Sequence, residues 1–167
     1  VMVATANADR FNSTMWPTTL TPSLGRYLEF TITPLPGKSF SISQLLIRYQ
    51  RAGAGPRKLV VRTSADNFTN NVGGVAYLAN DLLPHTKGFN FSIVDQESPL
   101  VIRLYAYEAY YWTISQFGPG DNLGNDIIVN GTTEDLGTTV EFLNTSSTLS
   151  ENGGPLDLPL TIDRKSV

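Results

Sequence analysis

The constraint that acts hardest on this chain is the alternation in residues 27–64, YLEFTITPLPGKSFSISQLLIRYQRAGAGPRKLVVRTS. Leu28, Phe30 and Ile32 fall on one side of an extended backbone, and Glu29, Thr31 and Thr33 on the other. That period of two belongs to a strand with one buried face and one wet face. Residues 27–33, 39–50 and 57–63 therefore read as successive strands, separated by Pro34-Leu35-Pro36-Gly37 and by Arg51-Ala52-Gly53-Ala54-Gly55-Pro56. In the second connection the glycines supply positive-φ positions, and Pro56 fixes the backbone as it enters the next strand.

The rest of the chain continues in the same idiom. Residues 1–25 are irregular, with Pro17 and Pro22 limiting any strand to a short piece before Met15 and with Trp16 expected to pack on the core. Residues 64–71 are turn chemistry around Phe68, and 75–78 form a short strand. A loop over 80–88 precedes another short strand at Phe89, Phe91 and Ile93. Residues 99–107 carry large side chains on both faces and read as a central strand, with 110–117 as its partner. A glycine-rich turn over 118–125 leads to a last strand, 126–130, ending at Gly131. Nowhere do apolar residues recur at helical spacing for more than about two turns. Many short strands with Gly, Pro and Asn turns predict an all-β, antiparallel β-sandwich of jelly-roll type. Irregular loop lengths argue against an up-and-down barrel.

Composition removes several function classes. Charged residues make up 16% of the chain and the net charge is -3, which gives no basis for a phosphate-neutralising surface, so nucleic acid is not an expected partner. With no cysteine, disulfides and thiolate chemistry are absent. No apolar run is long enough for a membrane span, and residues 1–8 lack the basic start of a signal peptide, so an exported chain would be a mature or excised form. Abundant Ser, Thr, Asn and Gly suit an extracellular β-module. Asn12, Asn67, Asn90, Asn130 and Asn144 each begin an Asn-x-Ser/Thr sequon, an expectation of a glycoprotein surface set against simple compositional excess.

Specific runs then resemble a known module. YLEFTITP at 27–34, IRYQRAGAGP at 47–56 and VRTSADNF at 61–68 resemble the jelly-roll module of large secreted bacterial surface proteins. Its strands read Y-hydrophobic-x-F-T-hydrophobic-T-P, R-x-S/A-G-x-G-P and R-S/T-S-x-D-x-F. IRLYAY at 102–107 and NDIIVNGT at 125–132 are similar to its later strands, so the likeness covers about 25–133. It implies a jelly-roll domain over 1–133 and a secreted, bacterial cell-surface location. Arg48, Arg51, Arg57 and Arg62 are expected to form exposed cross-strand ion pairs with Glu29, Asp66 or Glu108.

From Glu134 the character changes. TVEFL at 139–143, STLSENGGP at 147–155 and the alternating Leu156, Leu158, Leu160 and Ile162 resemble the opening of a Calx-β type repeat. That resemblance makes 134–167 a C-terminal extension and places Glu151 at a calcium-binding end. An isolated strand pair cannot bury its own apolar row. The row must therefore pack on this chain's own sandwich, on a missing remainder, or in the groove of another copy by strand addition. Head-to-tail addition would build an open filament.

Chemistry finds little purchase. The single histidine, His85, sits in a loop-like context without a nucleophile motif, and Glu97, Glu108 and Asp121 cannot be paired across a cleft from sequence. No catalytic residue is assigned. Calcium is the one expected cofactor, at Asp66, Asp121, Asp126 and Glu151, although Asx-rich turns also occur without metal. Tyr105, Tyr107, Tyr110, Tyr111 and Trp112 form an aromatic run of which alternation sends about half inward. Tyr110, Tyr111 and Trp112 are the carbohydrate-binding candidates. The expectation is a non-enzymatic extracellular structural or adhesive module whose partners are copies of itself or neighbouring surface domains; the alternative is a carbohydrate-binding module for glycans.

Overall fold

The computed structural model describes residues 2–4, 10–120, 124–137, 139–142 and 160–163, the last two stretches as backbone. Apart from a 3-10 turn at Ser64–Asp66, every regular element is a strand. In chain order they are β1 (Val3–Ala4), β2 (Ser13–Thr14), β3 (Leu28–Ile32), β4 (Lys38–Arg51), β5 (Pro56–Thr63), β6 (Val72–Tyr77), β7 (His85–Gln96), β8 (Leu100–Ala109), β9 (Phe117–Pro119), β10 (Ile127–Asp135), β11 (Thr139–Phe142) and β12 (Leu160–Asp163). The chain is an all-β antiparallel sandwich.

One sheet runs β3-β8-β5-β6; the other runs β1-β2-β9-β4-β10, with β7 also on β4. β7 and β10 pair with overlapping stretches of β4, so they occupy its two opposite edges. Phe40, Ile42, Leu45, Ile47 and Tyr49 of β4 are buried against Leu59 and Val61 of β5 and Leu100, Ile102 and Leu104 of β8. The alternation slips between Ile42 and Leu45 because the ladders to both neighbours shift register there. Each fully buried aliphatic side chain contributes about 1.5–3 kcal/mol. Trp16 is fully buried, as expected, with its ring edge-on to Phe117 at 5.6 Å. Tyr105 and Tyr107 join Val60 in a small second cluster on the outer face of the β5–β8 pair.

Several expectations are corrected. Residues 110–116 are not the partner strand of β8, which pairs instead with β3 and β5. Ser115 holds this stretch as a turn: its hydroxyl donates to the Trp112 carbonyl and accepts from the Trp16 amide, both at 2.9 Å. Gly118 and Pro119, read as part of a turn, form with Phe117 a strand bonded to β4. His85 is not in a loop but opens β7, a strand of 12 residues where five were expected. Its Nε2 lies 2.8 Å from Asp81, and its ring faces Tyr49. The final strand, expected to end at Gly131, runs on to Asp135.

The arginines separate into different roles. Arg57 and Lys58 meet Glu108, at 4.0 and 2.8 Å, while Glu29 binds Arg103 at 2.6 Å. Arg62 bonds Asn71 and the Phe68 carbonyl. Arg51 is no surface residue: it is 5% exposed, and its guanidinium donates to the carbonyls of Ala79, Ala52, Gly53 and Gly55. Among the sequons, Asn12 is buried, Asn67, Asn90 and Asn130 are exposed, and Asn144 lies outside the described residues.

Candidate functional site

The surface that the fold leaves unfinished is the edge formed by β10. All nine of its residues are exposed, although it pairs with β4 along its whole length. Directly paired residues share a face of a sheet. Ile127 is opposite Ile47, Val129 opposite Leu45, Gly131 opposite Ile42 and Thr133 opposite Phe40, so these four β10 residues look toward the sandwich interior. Their partners on β4 are buried, yet Ile127 and Val129 remain 37% and 38% exposed. The β3–β8–β5–β6 sheet stops short of covering β10.

The consequence is an open seam of about 250 Å³ between the edges of the two sheets, with Phe40 and Ile42 as its floor and Ile32 and Val129 on its sides. Both strands flanking it, β3 and β10, are terminal in their sheets among the described residues. At Gly131 the β4 backbone leaves no room for a side chain: a Cβ there would meet the Ser41 carbonyl oxygen at 1.9 Å. On the outer face an amide ladder fixes the register, with Asn130 donating to Gln44 at 3.0 Å and Gln44 donating to Asn90 at 2.8 Å.

The tail called for assembly lies partly outside the described residues, which exclude the side chains of Leu160 and Ile162 and all of Leu156 and Leu158. The backbone of β12 pairs with β11 in a separate sheet, Val140 opposite Ile162 and Phe142 opposite Leu160. Of the three destinations expected for this segment, the described backbone shows none; it shows the tail paired with itself.

The aromatic run divides between strand and turn and not by alternation. Tyr105 and Tyr107 are buried, whereas Tyr110, Tyr111 and Trp112 are exposed on the 110–116 turn. Tyr110 and Tyr111 meet edge to face at 4.6 Å and 89°, so they do not make one flat platform. One face of Trp112 is covered by the Arg26 guanidinium, 3.8 Å from the ring centre.

Of the carboxylates expected to hold calcium, Asp66 and Asp126 lie among the described residues. Asp66 directs its oxygens at its own turn, accepting from the Thr69 amide at 3.2 Å and from the Asn70 amide and side chain at 2.9 Å. Asp126 has one buried oxygen without a hydrogen-bond partner, while Asp121 and Glu151 lie outside the described residues. Among the described residues no three acidic or histidine side chains form a metal-holding group.

Asp66 carries a pH prediction. Burial acts to raise its pKa, but the bonds from Asn70 and Thr69 win and hold it below 3.8. A carboxyl with a depressed folded pKa contributes its full stability above the unfolded value and loses it as pH falls through the folded one. The Thr69 and Asn70 amides are therefore expected to move in NMR with a midpoint below the ordinary carboxylate value of 3.8. Asp66→Asn should remove that transition, and movement near pH 5 would show that the turn is not built on this carboxylate.

No protein-family model, curated protein or solved structure matches the chain.

Proposed function

We propose that this chain is a non-enzymatic structural and adhesive module of the bacterial cell exterior, joined to copies of itself by β-strand addition. One observation carries the reading: β10 is an edge strand of nine residues with inward-facing apolar side chains that its own second sheet leaves uncovered. Long apolar edges are templates for another strand, and β-proteins normally shorten, charge or cover them. The tail supports the same reading from the other side, because the β11–β12 pair is too small to be stable alone. The resemblance of 25–133 to secreted surface modules supplies the location.

The purified chain is expected to elute as large species on size exclusion and to show filaments by electron microscopy. Removing residues 139–167 should return it to a folded monomer. If assembly persists unchanged without them, strand exchange is wrong.

A second reading is favoured by the exposure of Tyr110, Tyr111 and Trp112, since exposed rings can stack on sugar faces. It expects glycan-array binding that falls about tenfold or more on Tyr110→Ala and Trp112→Ala, the loss of roughly 1.4 kcal/mol per decade. Retained binding in both variants would remove the aromatic corner from consideration.

A further inference from the structure

We propose that the cavity beside β9, at the end of β4, binds a sugar acid, with its carboxylate on the Arg10 and Arg51 guanidiniums and its hydroxyls on the Gln50 and Gln116 side-chain amides. The inference goes beyond the strand-addition reading and does not depend on it, because no residue of β10 or of the tail takes part.

Four segments meet at this place. Arg10 and Asn12 precede β2, Gln50 and Arg51 end β4, Leu82 lies between β6 and β7, and Gln116 precedes β9; together they line a cavity of about 260 Å³. Backbone bonds fix its walls. The Phe11 amide bonds the Pro119 carbonyl at 2.9 Å, and the Ala52 amide bonds the Gln116 carbonyl at 3.0 Å. Gly118 lets the first two segments close up, since a Cβ there would meet the Phe11 carbonyl oxygen at 2.5 Å. Walls formed in advance spare a ligand the cost of ordering them.

The donors point to an anion. Arg51 is 5% exposed and spends Nε and Nη1 on carbonyls of the fold, while Nη2 carries no bond among the described residues. The side-chain polar atoms sealed from solvent without a partner are, among the described residues, Trp16 Nε1, Glu108 Oε2 and Asp126 Oδ1. Nη2 is not sealed, and the cavity is the opening that Arg51 lines. Arg10 donates from Nε to the Gly120 carbonyl at 3.3 Å, and its two terminal nitrogens are likewise unbonded among the described residues. No carboxylate lines the cavity to neutralise this pair. Asp81, in the same loop as Leu82, is taken by His85 at 2.8 Å and by the Leu83 amide at 3.0 Å. A guanidinium offers paired N–H groups in one plane, which match the two oxygens of a carboxylate.

The remaining wall selects the rest of the ligand. Gln50 donates from Nε2 to the Leu82 carbonyl, which leaves its Oε1 as an acceptor. The Gln116 side chain is exposed and unbonded among the described residues, so it offers both donor and acceptor. Leu82, held at φ 63°, adds an exposed apolar rim. Pockets for drug-sized ligands run to roughly 300–1,000 Å³, so this one has room for a single ring and not for a stretch of peptide. Inorganic phosphate would engage the cations and leave the amides and the leucine unused. A carboxylate beside hydroxyls on one small ring is a sugar acid, presented either free or as an acid residue of a polysaccharide.

The test is isothermal titration calorimetry of the full chain with galacturonate, polygalacturonate, galactose, inorganic phosphate and a capped Asp-Glu peptide. Galacturonate is expected to bind at least about tenfold more tightly than galactose, phosphate or the peptide, and to weaken at about 1 M salt, where the screening length is about 3 Å. Arg10→Gln should cost about tenfold or more with the unfolding transition unchanged, Arg10→Lys should fall between, and Gln116→Ala should cost a few-fold. These variants keep the test separate from the part Arg51 plays in folding. Binding of polygalacturonate alone, lost in Arg10→Gln, would support the site with the polymer as its source. Equal affinity for galactose would overturn carboxylate recognition, and equal or tighter binding of phosphate or peptide would overturn the sugar acid. Binding that survives Arg10→Gln and falls on Trp112→Ala would move the ligand to the aromatic corner and overturn the site. Absence of heat with both galacturonate and its polymer would overturn the inference while leaving assembly by strand addition untouched.

Discussion

Replacing Arg51 by Met is expected to lower the unfolding free energy by about 3 kcal/mol, seen as a lower urea midpoint at unchanged slope. The side chain is buried, and its Nε bonds the Ala79 carbonyl at 2.7 Å while Nη1 reaches Gly55 at 3.0 Å and two further carbonyls. Methionine preserves much of the volume, so the loss is one of hydrogen bonding and not of packing. Buried acceptors left without donors cost about 1–3 kcal/mol each, and the weakest of these bonds will be partly replaced by water. The loop has little freedom to rearrange, because Gly55 lies so close to the Gln116 carbonyl that a Cβ would approach it to 2.4 Å. Burial pushes the guanidinium pKa down from its ordinary value, which still leaves it charged at neutral pH. Arg51→Lys should recover only part of the stability, since one ammonium cannot reach carbonyls on two segments. A change within about 0.5 kcal/mol for Arg51→Met would show that backbone bonds alone hold the loop.

The second large effect is expected from Gly131→Val. The atom a side chain would strike is a backbone carbonyl of β4, which cannot swing aside as a flexible side chain would. Overpacking of this kind costs about 1–3 kcal/mol and occasionally more, and a β-branched residue belongs at the upper end. The damage should be local: β10 amides exchange faster while Trp16 fluorescence keeps its native maximum. Assembly should fail with them, because the seam loses one wall. Gly25→Ala, with nothing within 4 Å of the added carbon, is the matched control and should leave both readouts unchanged. Protected β10 amides in Gly131→Val would mean that the two strands can part without losing their register.

The strands of the opening stretch were legible because each buries apolar side chains in an extended run. The period of two in Leu28–Ile32 is imposed by that burial, whereas Pro56–Thr63 shows as a short apolar run, Leu59-Val60-Val61, buried on both faces; the expected limits of both lie within one residue of the observed ones. The length of β7 was not legible. It is an edge strand whose first residues, His85 to Gly88, bond β4 without contributing to the core, so no apolar alternation marks them. Residues 110–116 misled in the opposite direction. Tyr111, Trp112 and Ile114 have strand-like character, but what shapes them is Ser115, whose hydroxyl ties the turn to Trp16 from 99 residues away in sequence. Arg51 was hidden for a related reason: charge alone places an arginine at the surface, and while the Ala52, Gly53 and Gly55 carbonyls lie in its own loop, the Ala79 carbonyl comes from a segment that only the fold brings near. The seam lies at the same limit. Ile127 and Val129 read only as part of a last strand, and that the opposite sheet is too narrow to cover them is a property of two sheets at once.

The direct continuation of β10 toward the tail has a mechanical meaning. In a head-to-tail fibre, tension would arrive through the strand bonded to the outer edge of β10 and leave through the chain beyond Asp135. The load would pass through one strand and its paired backbone along β4, bypassing β5 and β8 at the centre of the other sheet. Such a module could be pulled hard without its core being stretched, and its breaking point would be set by sliding β10 against β4, where the Asn130–Gln44–Asn90 amides act as a catch.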